Sequence, residues 1–198
     1  MRFAPWVVAA LLLFAAWRLY SQRDIDRPAG VLAAAEPLQN VIEGAPGIER
    51  GAFLLRPRAD FSATVRILSR EDYSVGDFAT LVPTDFAVGW GPMSDSVNLH
   101  GIEIGQGDRF YYWRTQSWPL TRDQIQSHSA NWHVIADSEA VRQVLGRLRV
   151  GSVVELHGKL VDIEGPEGRR DTSLSRRDTG AGACEILLAS SARIVESG

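Results

Sequence analysis

The sequence predicts an α+β chain: an N-terminal transmembrane anchor, then one β-rich domain with a small antiparallel, barrel-like sheet and one or two helices. Three observations predict it. Residues 3–17 carry no charge, short segments from residue 52 onward alternate apolar and polar, and one stretch beginning at Asp137 has clear helical spacing.

The anchor is short. About fifteen residues rising about 1.5 Å each reach about 22 Å, less than the roughly 30 Å hydrocarbon core. Leu19 and Tyr20 extend it, and Arg18 can snorkel to the headgroups, so residues 1–20 are expected to span once, with the membrane contact at residues 3–20. Bulky Phe14 stands three residues before a cut after Ala16, which disfavours cleavage and favours a signal-anchor. Arg18, Arg23 and Arg27 follow the apolar run and Arg2 precedes it, a balance that leans towards a cytoplasmic domain. The very short tail before the apolar run points instead to export. The expectation is a single-pass protein of a bacterial inner membrane with a periplasmic domain.

Residues 21–50 hold Pro28, Pro37 and Pro46 with Gly30, Gly44 and Gly47, the composition of a flexible linker. Residues 51–198 are long enough for one globular domain with its own core. The net charge of −3 argues against a nucleic-acid partner, which needs a basic footprint. A single cysteine excludes an intrachain disulfide and any multi-cysteine zinc site. No cofactor and no metal are expected.

Within the domain, residues 52–56 and 61–68 read as strands, the second with Phe61, Ala63, Val65 and Ile67 on one face. Phe78 to Val82 reads as a further short strand. Val97 to Ile104 and Arg109 to Thr115 flank Gly105-Gln106-Gly107-Asp108, a hairpin turn. Thr121 caps a short helix to about Ser127, and Trp132 to Ala136 is extended. Asp137 or Ser138 caps the main helix, on which Val141, Val144, Leu145 and Leu148 share a face before Gly151 ends it. Ser152 to Leu160 and Cys184 to Val195 alternate as strands. A helix followed by such a strand pair parallels, by analogy, an oligonucleotide/oligosaccharide-binding-type barrel.

Three polar-aromatic segments carry the candidate site. In Thr84 to Asp95, Gly89 and Gly91 flank Trp90; the ligand reading makes Trp90 a stacking face and Asp95 an acceptor, and the structural reading is a packed turn with Asp95 bonding its own backbone. In His128 to His133, the spacing of five puts the two histidines on no common helix face and on opposite faces of a strand. A bend could still bring both imidazoles to one site, where a metal would need His100, Asp95 or Cys184 for its remaining ligands, but no ligand-spacing motif is present. In Asp171 to Glu185, Gly180 and Gly182 permit amide hydrogens to converge on an anion, but no phosphate-loop lysine is present. Cys184 shares the parity of Ile186 and Leu188, which favours a buried, inert thiol over a nucleophile. Arg109, Arg114 and Tyr112 suggest an anion-binding strand face, although the two arginines have opposite parity.

Written as Gly-Trp-Gly-Pro-Met-Ser-Asp, His-Ser-Ala-Asn-aromatic-His and Asp-Thr-Gly-Ala-Gly-Ala-Cys-Glu, these segments resemble, over residues 80–195, a family of short bacterial membrane-associated proteins without established activity. The resemblance implies a bacterial envelope context and nothing catalytic. The leading expectation is therefore a membrane-tethered, non-enzymatic domain that binds a small ligand or an envelope protein through Trp90, Asp95, Trp113, His128, Asn131 and His133. The alternative is an acyl- or thiol-transfer enzyme in which Cys184 is the nucleophile and His128 or His133 its base.

Overall fold

The computed structural model describes residues 6–10, 12–13, 23–176, 178, 180 and 182–195. Residues 6–10 and 12–13 are helical, and the rest of the expected anchor lies outside the described residues. Among the described residues no helix is long and apolar enough to cross a membrane, which is silent about strands.

The described chain is mixed α+β and mostly β. Its strands are β1 (Leu38–Val41), β2 (Ile48–Arg50), β3 (Phe53–Asp72), β4 (Thr84–Gly89), β5 (Ile102–Gly107), β6 (Phe110–Thr115), β7 (Ser129–Ala136), β8 (Val153–Gly165), β9 (Gly168–Arg170) and β10 (Glu185–Val195). The helices are α1 (Asp77–Leu81), α2 (Ser96–Leu99), α3 (Arg122–Ser127) and α4 (Glu139–Arg147), with a 3-10 turn at Gly91–Ser94.

The sheet is larger than expected. Eight strands join in one sheet, and β3 pairs with both β4 and β8, so the order β3-β4-β7-β10-β8 returns to β3 as a closed ring. Only β7 and β10 run parallel among the neighbours in this ring. Numbered along the chain, the ring strands stand in the order 1-2-3-5-4, and α4 connects the third to the fourth. Inward-facing Phe61, Val65, Phe86, Trp132, Leu156 and Leu187 fill the ring, and Val141 and Leu145 of α4 close one end. α4 starts where sequence spacing puts it, with the Ser138 side chain accepting from the Val141 N–H.

Strand β3 corrects the expectation of two separate strands. Pro57 has no N–H to give the ladder, yet the pairing to β8 slips by one residue between Pro57 and Ala59 instead of ending. The bulge bends one 20-residue strand out of the ring. Its N-terminal arm, with the end of β8, covers the outer faces of β7 and β10: Phe53, Leu55, Val161 and Ile163 pack with Ile135, Ile186 and Leu188.

Of residues 78–82, expected as a strand, 78–81 belong to helix α1, whose first amide donates to the Glu167 carboxylate at 2.8 Å, and Val82 follows its end. A short apolar run is compatible with either state. Residues 97–99 belong to a helical turn, and the strand begins at Ile102.

Residues 23–50, expected as a flexible linker, are strapped to the domain instead. Ile25 N–H donates to the Val150 carbonyl at 2.8 Å, Leu32 and Ala33 donate to Ser94 Oγ, and β1 and β2 both pair with β3. The proline and glycine content reads as loop, but its backbone groups find partners on the barrel.

Candidate functional site

The insertion between β4 and β7, residues 90–128, positions the site. Gly89 and Gly91 let the chain pass closely around Trp90: a β-carbon at 89 would sit 2.4 Å from the Met93 carbonyl oxygen, and Gly91 has φ +49. Trp90 N–H donates to the His128 carbonyl at 3.0 Å, and its ring is buried. The close backbone approach read from Gly-Trp-Gly is thus present.

Strands β5 and β6 form a hairpin whose turn is centred on Asp108-Arg109, two residues beyond the centre of the expected one, with φ 52 and 70. Both central residues are left-handed, as a two-residue type I′ turn requires. The hairpin lies over the outer face of β7. Gln106 Nε2 donates to Asn131 Oδ1 at 2.7 Å, Asn131 Nδ2 donates to the Arg109 carbonyl at 3.0 Å, and the Tyr111 hydroxyl lies 3.1 Å from Ser129 Oγ. An apolar layer of Leu68, Ala87, Met93, Ile102 and Ile125 seals the insertion against β3 and β4.

The connection from β8 to β10 closes the site from the other side. Arg177, Thr179 and Ala181 of the third segment lie outside the described residues. Arg176 reaches inward: its Nη1 donates to Glu185 Oε1 at 2.8 Å, its Nη2 to Gln39 Oε1 at 3.0 Å, and its guanidinium stands 5.3 Å from the Phe61 ring centre. Glu185 is 2% exposed. Burial pushes its carboxyl up to about 8, against the opposing pull of Arg176.

These parts enclose a cavity of about 370 Å³, within the range of small-molecule sites. Its walls include Trp90, Tyr111, Trp113, Asn131, Arg176 and Glu185, and residues from all three sequence segments therefore meet there. Two of its lining residues each bury a polar atom that has no hydrogen-bond partner: Glu185 Oε2 and Trp90 Nε1. A second cavity of about 320 Å³ shares Trp90 and Arg176 and is lined by Glu36, Asp123 and His128.

Other predicted residues stand elsewhere. Asp95 caps α2 by accepting from Val97 N–H at 2.9 Å and also accepts from Gly30 N–H at 3.0 Å. These backbone donors, Gly30 first, hold its carboxyl below the usual range. It is a structural pin, not a pocket acceptor. His128 Nδ1 lies 2.9 Å from the Gln124 carbonyl oxygen, and its ring stands 6.4 Å from that of Trp90. His133 points to Asp85: its Nδ1 lies 2.9 Å from Oδ1, at an angle that makes no hydrogen bond. Trp132 fills the ring against Phe61 at 5.3 Å, and Trp118 is exposed beside Trp113.

Arg109 and Arg114 do not form an anion face. Arg109 turns inward to Asp85 Oδ1 at 2.9 Å, and Arg114 pairs with Glu103 on the surface.

Cys184 lines the cavity, but its sulfur contacts are Asn131 Nδ2 at 3.8 Å and the Arg109 carbonyl at 3.9 Å; neither His128 nor His133 is among its hydrogen-bond partners. Burial raises its thiol to about 11. A nucleophile needs a base within reach and a usable thiolate fraction; among the described residues no histidine bonds this thiol, and burial works against its thiolate. Among the described residues no cluster of three or more His, Cys, Asp or Glu side chains is arranged to hold a metal ion.

Sequence reasoning missed Gln39, Arg176 and Glu185. Glu185 carried a usable signal: it shares parity with Leu187 on β10, so its carboxylate had to enter the core or be paired. No family model, curated protein or solved structure matches this chain.

Proposed function

We propose that the chain is a membrane-tethered, non-enzymatic ligand-binding domain, and that the cavity between Trp90, Asn131 and Glu185 is its binding site. The observation that carries this reading is the Glu185 carboxylate. Glu185 is 2% exposed, lines the cavity and buries one carboxyl oxygen without a hydrogen-bond partner, a polar group that a bound ligand can satisfy.

The ring order supports an oligonucleotide/oligosaccharide-binding-type barrel as the scaffold. Such barrels bind ligands on the outer face of their second and third strands and with neighbouring loops. In this chain those strands are β4 and β7, and the insertion covers their outer faces. A nucleic-acid strand finds no open platform there, and the net charge of −3 offers it no attraction. The space left between insertion and loop suits a small molecule.

The tether rests on the uncharged run at residues 3–17, with the straps from Ile25 onward holding the domain close to it. A periplasmic domain in a bacterial envelope remains the preferred placement.

Screening aromatic fragments against the full-length chain by NMR tests the site. Hits are expected to shift the amides of Tyr111, Ser129 and Cys184, and Ala183→Trp, which fills the cavity, is expected to abolish them. Hits that bind the filled variant equally well would overturn the reading. Extraction of membranes with alkaline carbonate tests the tether: the chain should stay with the lipid, and its release would contradict anchoring.

A further inference from the structure

Resting on that reading, we infer that the ligand is an organic amine, a protonated nitrogen on an apolar or aromatic body, with the nitrogen donating to Glu185 Oε2. Three observations point to a cation. The first is Glu185 Oε2 itself, an acceptor on a 2%-exposed residue lining the cavity with no donor opposite it. The second is the charge around the shared Trp90–Arg176 wall. The two adjoining cavities are lined by the carboxylates of Glu36, Asp123, Asp178 and Glu185 against the guanidiniums of Arg122 and Arg176. Among the described residues the Trp90 cavity itself is matched, Asp178 and Glu185 against Arg122 and Arg176, the neighbouring cavity adds the Glu36 and Asp123 carboxylates, and Arg176 is already committed to Glu185 and Gln39.

The third is aromatic density. Phe110, Tyr111, Tyr112 and Trp113 are consecutive and all line the cavity, joined by Trp90. Ring faces attract cations, and more strongly where water is excluded. Phe110 and Tyr112 are exposed at the rim, where they offer an apolar body somewhere to pack. An anion would meet the Asp178 carboxylate, and among the described lining residues the one guanidinium without a carboxylate partner, Arg122, lies against the Trp113 ring at 5.9 Å.

An incoming ammonium also resolves the burial of Glu185. It supplies the second charged partner that the carboxylate lacks, so binding is expected to release the proton that burial otherwise retains.

The test uses the full-length, ¹⁵N-labelled chain in detergent micelles, titrated with benzylamine, benzyl alcohol and phenylacetate. Benzylamine is expected to give saturable shifts of the Trp90 indole N–H and the Asn131 and Cys184 amides, with at least tenfold tighter binding than either other probe. Glu185→Gln, which keeps the shape and removes the group that ionises when the amine binds, is expected to weaken benzylamine at least tenfold and leave benzyl alcohol unchanged. Should that variant fail to fold, Tyr112→Ala at the exposed rim is expected to weaken benzylamine severalfold. Equal or tighter binding of benzyl alcohol or phenylacetate in the cavity overturns the amine inference and leaves the ligand site standing. Benzylamine affinity unchanged in Glu185→Gln, or in Tyr112→Ala where that is the variant that folds, overturns it likewise. If no probe moves these resonances, the ligand-binding reading falls with it.

Discussion

Arg109 holds a left-handed backbone at φ 70 while its guanidinium lies 2.9 Å from the wholly buried Asp85 Oδ1. A non-glycine residue in that conformation is strained. Its backbone and its guanidinium are nevertheless both engaged. Its N–H donates to the Tyr73 hydroxyl at 3.0 Å, its carbonyl accepts from Asn131, and its guanidinium also donates to the Val82 carbonyl and stacks 3.6 Å above the Tyr73 ring. The tip of the insertion is thereby bolted to the barrel beside the cavity.

Removing the arginine leaves a buried carboxylate unpaired, and such losses cost about 3–5 kcal/mol. Arg109→Met is therefore expected to destabilise the chain by about that much in chemical denaturation. Adding Asp85→Leu should recover most of the loss, because the orphaned charge goes too. A single variant within about 0.5 kcal/mol of the parent would contradict the bolt.

Asn131 joins the hairpin to β7 through two hydrogen bonds, to Gln106 and to the Arg109 carbonyl. Asn131→Ala leaves both part-buried partners without it, at about 1 kcal/mol or somewhat more. Amide exchange over residues 102–115 is expected to accelerate while that of β3 and β8 stays slow. Uniform acceleration across the chain would show that the hairpin does not open as a unit.

Stability should depend on pH through Glu185. Its folded carboxyl titrates near 8, above an unfolded value near 4.3. Between those values the folded state holds more protons than the unfolded state. The contribution is complete below about pH 4.3 and is lost as pH rises to about 8, at no more than about 1.4 kcal/mol per unit. Comparing Glu185→Gln with the parent isolates it: the stability difference should shift in the variant's favour across that window. A constant difference from pH 4 to 9 would contradict the assigned burial.

Cys184 is expected to resist iodoacetamide at pH 7.5 in the folded chain and to react readily in denaturant, since its thiol is pushed up to about 11. Cys184→Ser should keep the fold and the cavity. Rapid labelling of the native chain would reopen thiol chemistry.

Much of the barrel was legible in the sequence because its strands alternate cleanly. Ser152 to Leu160, Cys184 to Val195 and the helix after Ser138 fall where spacing puts them. Strand β4 escaped notice because its outward residues, Asp85 and Ala87, are buried under the insertion and so break the polar-out pattern. The length of β3 was hidden by Pro57, whose bulge resembles a break. At the site, Trp90, Trp113, Asn131 and Cys184 come together, whereas Asp95 and His133 serve the scaffold. Glu185 stands near the start of the alternating segment to Val195, and Arg176 in the polar stretch before it. Their pairing depends on long-range closure of the ring, which local spacing cannot reveal.

The most direct measurement is a crystal structure of the full-length chain with saturating benzylamine. The nitrogen should lie within about 3 Å of Glu185 Oε2 with the ring among Tyr111, Tyr112 and Trp113. Density instead in the 530 Å³ apolar cavity lined by Phe53, Leu81 and Phe86, with the Trp90 cavity holding none, would contradict the account.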